Sequence, residues 1–375
     1  MALAKARVSK RAERSRTPPP RAAAPPYAAV LRDAALKQGA VVRDAAGRLL
    51  ADFINDDGAI LLGWADPRVE ARVGADQDPA RLEMEAAERL CALVPCAEAV
   101  GFRATLEAAL ADALIAAKTL TDRDGAFFCD DITTVTGDLD ALDHAFDLYG
   151  DVIAALVIRP LHAPKAFLER ARILTDRSEA LLIFDESRTA FRVHAGGVQG
   201  LTGVRPDIAL IGAVIANGRP LAAAAGAMEV MRALPSAGAK VAPAALAAAC
   251  VTLDRVAREN PARVLREVGA EIETEIAVRL AVAGADPWLA VAGDPTWSLV
   301  GPRPAPDLDA KALQAELALG LHDHGVLSYG VHTPSLATGE PELGRLFEAY
   351  DAILPDLVAR AESGAFDLAP DEARP

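Results

Sequence analysis

No apolar run in the 375-residue chain approaches the roughly 18 residues needed to cross a bilayer. No membrane-spanning helix is therefore expected. Positive charge is scarce as well: 39 Lys and Arg stand against 53 Asp and Glu, a net charge of −14. That balance argues against nucleic acid or an anionic membrane as partner of the folded body. Cysteine is limited to Cys91, Cys96, Cys129 and Cys250, spaced neither as a metal site nor as a disulfide framework, which fits a reducing cytoplasm. Histidine offers no metal site either, since His322 and His324 flank Asp323 on a predicted helix, where positions i and i+2 point apart. Lysine is rare, with seven in the whole chain, so few side chains could act as an amine nucleophile.

What is present divides unevenly. Residues 1–26 hold seven Lys or Arg among the first 21, then Pro18-Pro19-Pro20 and Pro25-Pro26. No apolar segment of the secretory type follows them. An Arg-rich, acid-poor start has the composition of an organelle transit peptide, but nothing there could bury surface, and a disordered basic tail is expected. The remaining length suits two domains sharing one chain path.

Residues 180–220 organise the rest. Leu181–Phe184 is an unbroken apolar run, long enough for a strand buried on both faces and too short for a helix. Asp185 and Glu186 follow at once, so a carboxylate stands where such a strand ends, the usual ligand-binding edge of an open α/β sheet. After a glycine-punctuated loop, Ile208–Ile215 reads as a neighbouring strand.

These residues carry a resemblance. Phe184-Asp185-Glu186, Thr189, Phe191-Arg192-Val193, Gly197, Gln199-Gly200, Gly203-Val204, Pro206-Asp207, Gly212, Val214-Ile215, Gly218 and Pro220 fall in one register. In that register the stretch resembles the core of the class III, fold-type-I, pyridoxal-phosphate-dependent aminotransferases, in the branch of glutamate-1-semialdehyde 2,1-aminomutase. The resemblance implies an α/β fold: a large domain with a mostly parallel sheet covered by helices, plus a small α+β domain. It implies residues 27–75 and 258–359 as the two parts of the small domain and 76–257 as the large one, with a tail from 360. It also implies a homodimer, and pyridoxal phosphate as the family's cofactor.

Set against the family pattern, the cofactor positions are altered, and no cofactor is expected to bind. Ala213 occupies the place of the lysine that forms the Schiff base and moves the proton. Where the family has a Ser-Gly-Thr-Glu-Ala turn that holds the cofactor phosphate at a helix N-terminus, this chain offers Phe102-Arg103-Ala104-Thr105-Leu106-Glu107-Ala108: only the Glu-Ala is retained, the glycine is gone, and Thr105 is left as a vestige. Asp130-Asp131 follow the strand at Phe127-Phe128-Cys129 where the ring-stacking aromatic belongs. The family's excursions after that strand and after residue 160 are missing, and no threonine replaces the one that a partner subunit normally supplies. Asn55-Asp56-Asp57-Gly58 stands in place of an aromatic-bearing Gly-Ser-Trp-Gly. Asp185 keeps the position that faces the ring nitrogen. Parallel registration would let Arg159 reach it and replace the protonated ring as partner of a buried carboxylate.

The expected function is thus a pseudo-transaminase with a binding or regulatory role, or a heteromer with an active relative. The pocket candidates are Asp57, Asp130, Arg159 and Arg188, with Asp185 and Thr105 as remnants of cofactor binding. A cofactor-independent acid–base enzyme acting through Asp56, Asp57, Asp130, Asp131, Asp185 and Arg159 is an alternative. Residual aminotransferase or aminomutase activity is another, with Lys240 the nearest relocated amine.

Overall fold

The runs with no polar interruption form the centre of the molecule, because a strand buried on both faces has no place for a solvated side chain. A computed structural model describes residues 27–75, 78–129, 138–161, 163–235 and 241–368. The basic tail 1–26, Asp130, Asp131 and Lys240 lie outside the described residues. The chain begins with α1 (Tyr27–Arg32), β1 (Leu36–Gln38), β2 (Val41–Arg43), β3 (Leu49–Asp52), α2 (Pro67–Val73) and α3 (Pro79–Leu93). Alternating elements follow: β4 (Ala99–Arg103), α4 (Leu106–Thr121), β5 (Gly125–Cys129), α5 (Leu139–Tyr149), β6 (Ile153–Ile158), α6 (Lys165–Ser178), β7 (Leu181–Asp185), α7 (Gly197–Thr202), β8 (Ile208–Ile211) and β9 (Ala222–Gly226). The last part holds α8 (Met228–Met231), α9 (Pro243–Glu259), α10 (Pro261–Ala283), β10 (Leu289–Asp294), β11 (Trp297–Pro302), α11 (Ala310–Asp323), β12 (Val326–Leu327), β13 (Val331–His332) and α12 (Glu340–Glu362).

The large sheet runs β4-β9-β8-β7-β6-β5. β5 to β8 are parallel, and β9 lies antiparallel between β8 and β4. β6, β7, β8 and β9 are buried at every position. Side-chain alternation explains the two coats. Leu156, Ile158, Leu182 and Phe184 face the core under α5 and α6, while Ala155, Val157, Leu181 and Ile183 face the alanine stripe of α4. Four fully or nearly fully buried alanines, Ala109, Ala113, Ala116 and Ala117, let that helix approach the sheet closely.

Two smaller sheets, β1-β2-β3-β12 and β10-β11-β13, pack with α10, α11 and α12 around Ile272, Leu317, Leu346 and Tyr350. This is the α/β, fold-type-I aminotransferase-like architecture expected from the sequence. No helix among the described residues is long and apolar enough to cross a membrane.

Several local expectations are corrected. The run Ile208–Ile215 is a strand only to Ile211, because a 3₁₀ turn takes over at Ala213–Ala216. Asp52-Phe53-Ile54 would read as a strand of its own, but β3 runs Leu49–Asp52 and ends there, where the Asp52 carboxylate accepts from Ile54 N and Asn55 N. Val326–Val331, read as one strand, is split between two sheets by Tyr329 and Gly330, at φ 52° and 84°. The final helix runs to Glu362, and Phe366 beyond it is buried against the helical core rather than lying in a polar tail.

Candidate functional site

β6 and β7 are parallel and in register, with Ile158 beside Phe184. Their next residues, Arg159 and Asp185, consequently leave the same edge of the sheet side by side. Arg159 Nε donates to Asp185 Oδ2 at 2.9 Å, and Ser187 N donates to Oδ1 at 3.1 Å. The carboxylate is 8% exposed and the guanidinium-bearing chain 38%. The acid is thus buried and its cation reaches in from the rim. Arg159, Leu161, Asp185, Ser187, Arg188 and Thr189 line a hollow of about 150 Å³ that is open to solvent.

Arg188 links this hollow to a second element. Its Nη2 and Nε both donate to Asp57 Oδ2, at 3.1 and 3.3 Å, and its guanidinium lies 5.1 Å from the ring centre of Trp297. Asp57 belongs to an unusual turn. Asn55, Asp56 and Asp57 adopt φ of 50°, 53° and 53°, followed by Gly58 at 77°. Asn and Asp tolerate left-handed backbone as single residues rather than in succession, so three in a row need external support. Asp52 supplies it by accepting from Ile54 N, Asn55 N, Tyr27 Oη and Trp64 Nε1 at 2.8–3.0 Å. Asn55 adds a bond to the Thr333 carbonyl. Gly58 is required where it stands, because a Cβ would lie 2.6 Å from Trp297.

Burial pushes Asp52 above the usual carboxylate range, against the pull of its four donors. Asp56 is raised by burial first, with Lys37 lowering it and Asp57 raising it further. The buried Tyr27 hydroxyl is raised by burial and by the Asp52 charge.

Glu186 and Arg192 are structural partners of other groups, not of each other. Glu186 accepts from Thr189 Oγ1, Val198 N and Gln199 N, which fastens the start of α7, and burial raises its pKa. Arg192 is fully buried and donates to the carbonyls of Gly58, Thr296 and Pro334. Desolvation lowers it to about 10.

Gly212 leaves β8 against Ser187, where a Cβ would sit 3.2 Å from the serine Cβ. Ala213 then opens the 3₁₀ turn, which Gly218 N closes on the Ala213 carbonyl at 2.9 Å. Thr105 starts α4 at the end of β4, two strands away from β8. Its hydroxyl accepts from Ala108 N at 3.3 Å, so it caps its own helix. The neighbouring Arg103 is engaged by Asp112 and by the carbonyls of Phe102 and Pro235.

The structure therefore brings Arg159 to Asp185 and Arg188 to Asp57, with Arg188 common to the hollow and the acidic turn. It leaves Thr105 apart. Ser187 and Asp52 were not singled out from sequence, and Thr189 only as part of the motif. Asp52 had a legible signal, a strand-end aspartate three residues before an asparagine, the pattern of a side chain that captures backbone N–H groups.

Comparison with known proteins agrees with this architecture. The aminotransferase class-III family matches residues 138–281. The chain is 32% identical over 296 residues to glutamate-1-semialdehyde 2,1-aminomutase of Akkermansia muciniphila, covering 64% of this chain and 70% of that protein. It is 31% identical over 291 residues to the aminomutase of Polynucleobacter necessarius subsp. necessarius, covering 61% and 67%. Among solved structures, a transaminase with PLP bound superposes with a TM-score of 0.79 at 24% identity, over 88% of this chain and 92% of that one.

Proposed function

The chain belongs to the class-III aminotransferase family, and on that footing we propose that it is a pseudo-transaminase, with the family's fold and a role in binding, regulation or partnership with an active relative. In this reading Ala213 stands at the family's Schiff-base position, and a methyl group can neither anchor an aldehyde nor carry a proton. The observation that supports it most is the 2.9 Å bond from Arg159 to Asp185. The carboxylate that would face a cofactor's ring nitrogen already has a cation of the protein's own.

The residues present do not fit pyridoxal phosphate. Arg159 already pairs with the Asp185 carboxylate, Thr105 spends its hydroxyl on its own helix, and the cradle segment 102–108 contains no glycine. No step is therefore derived through that group. The acid–base alternative needs two carboxylates of different protonation at one place. Among the described residues, Asp57 and Asp185 are instead each bonded to an arginine. In the preferred reading the protein is cytoplasmic and forms a homodimer, or a heteromer with an active relative.

A titration of the purified protein with pyridoxal phosphate tests the reading. No visible Schiff-base absorbance is expected to survive buffer exchange. A stable band at one equivalent per chain would overturn it.

A further inference from the structure

We propose, resting on the reading above, that Arg159 is a resident cation that keeps pyridine vitamers off Asp185, so that exclusion of the ring does not depend on the missing lysine.

Arg159 and a ring cation would compete for the same carboxylate. Asp185 has two acceptor atoms within the sheet edge. Oδ1 takes the Ser187 backbone N–H at 3.1 Å and Oδ2 takes Arg159 Nε at 2.9 Å. A protonated ring nitrogen bonding to Asp185 would compete with Arg159 for the charge of one carboxylate. It would also meet a guanidinium of the same sign close beside that carboxylate.

Sterics act in the same direction. Arg159 and Leu161 form one side of the hollow, and Ser187, Arg188 and Thr189 the other. A ring seated on the Asp185 carboxylate would have to displace the Arg159 side chain that borders the hollow. The sheet sets the starting point of this contact: β6 and β7 are fully buried with Ile158 beside Phe184, so the backbones of residues 159 and 185 leave the sheet edge as neighbours.

Removing the guanidinium reverses both effects. Asp185 would keep its burial and its Ser187 bond but lose its cation, and an unpaired buried carboxylate is strongly disfavoured. The vacated volume would then favour a planar cation. Loss of the lysine leaves a different signature, because its anchoring bond forms only with an aldehyde.

Pyridoxamine 5′-phosphate separates the two, since it has the ring and the phosphate but no aldehyde. Its fluorescence and the thermal shift it causes give a dissociation constant for the wild type, Arg159→Ala, Arg159→Gln and Ala213→Lys. The Arg159 variants are expected to bind at least tenfold more tightly than the wild type, and Asp185→Asn added to Arg159→Ala is expected to erase the gain. Ala213→Lys alone is expected to match the wild type. Arg159→Gln removes the charge but keeps the aliphatic stem and a polar end, and serves if Arg159→Ala does not fold. Binding to both Arg159 variants within twofold of the wild type would overturn the inference, as would tight binding to the wild type itself. A covalent product between the wild type and pyridoxal phosphate would sink the pseudo-transaminase reading instead, while the ratio between wild type and Arg159 variants still decides this one.

Discussion

Arg192 donates to the carbonyl of Gly58 at 3.1 Å, which ties the loop that leaves β7 to the left-handed acidic turn. The same guanidinium reaches the carbonyls of Thr296 and Pro334, so one buried cation joins four segments far apart in sequence. Arg192→Met keeps much of the apolar volume and abandons three buried carbonyls, at about 1–3 kcal/mol for each unsatisfied group. We expect a loss of about 3 kcal/mol or more, read as a lower urea midpoint. Arg192→Lys, with a point charge in place of the planar fork, should recover only part of it.

Gly197 stands at φ 68°, and a Cβ there would lie 2.5 Å from Glu186 Oε1. Gly203 has a similar φ of 80° with nothing near its missing Cβ. Gly203→Ala should therefore cost only the backbone penalty of about 1–2 kcal/mol. Gly197→Ala should cost clearly more in the same denaturation experiment, because it also displaces a buried carboxylate from the start of α7.

The Arg188–Asp57 pair is the opposite case. Asp57 is 64% exposed and offers one oxygen to both nitrogens. Exposed pairs contribute about 0–1 kcal/mol and are screened by salt. Asp57→Asn should change stability by less than about 1 kcal/mol at low salt, and the difference should vanish at molar salt.

His332 is fully buried between Phe53 and Tyr350, and desolvation lowers it from 6.5 to about 3. Its folded pKa is depressed, so the unfolded chain binds the extra proton first as pH falls. Its contribution is intact above pH 6.5 and declines between 6.5 and 3, at about 1.4 kcal/mol per pH unit at the steepest. The raised pKa of buried Glu186 works in the other direction. The informative comparison is therefore the slope of stability against pH for wild type and His332→Gln. The variant should lose less stability between pH 6.5 and 4.

Much of the sheet was legible because β6 and β7 are pure apolar runs that admit only a doubly covered strand. The Arg159–Asp185 contact was legible for the same reason, since adjacency of two parallel strands fixes which end residues meet. Strand lengths were less so: nothing in Ile208–Ile215 distinguishes a strand from the 3₁₀ turn that Gly212 introduces. The turn at residues 55–58 was hidden more deeply. Asn-Asp-Asp-Gly tolerates left-handed backbone, but what stabilises it is Asp52, Tyr27 and Trp64 acting together. Arg188 and Asp57, 131 positions apart, meet only once the loop after β7 and the turn after β3 are both in place.

The account depends on the absence of a covalent tether on this fold, and intact mass after borohydride reduction tests that most directly. Protein purified from its native host and incubated with excess pyridoxal phosphate is reduced, denatured and weighed against an untreated control. The account predicts an unmodified chain once nonspecific labelling of exposed lysines is subtracted. One phosphopyridoxyl group per chain, mapped to a single lysine peptide, would contradict it.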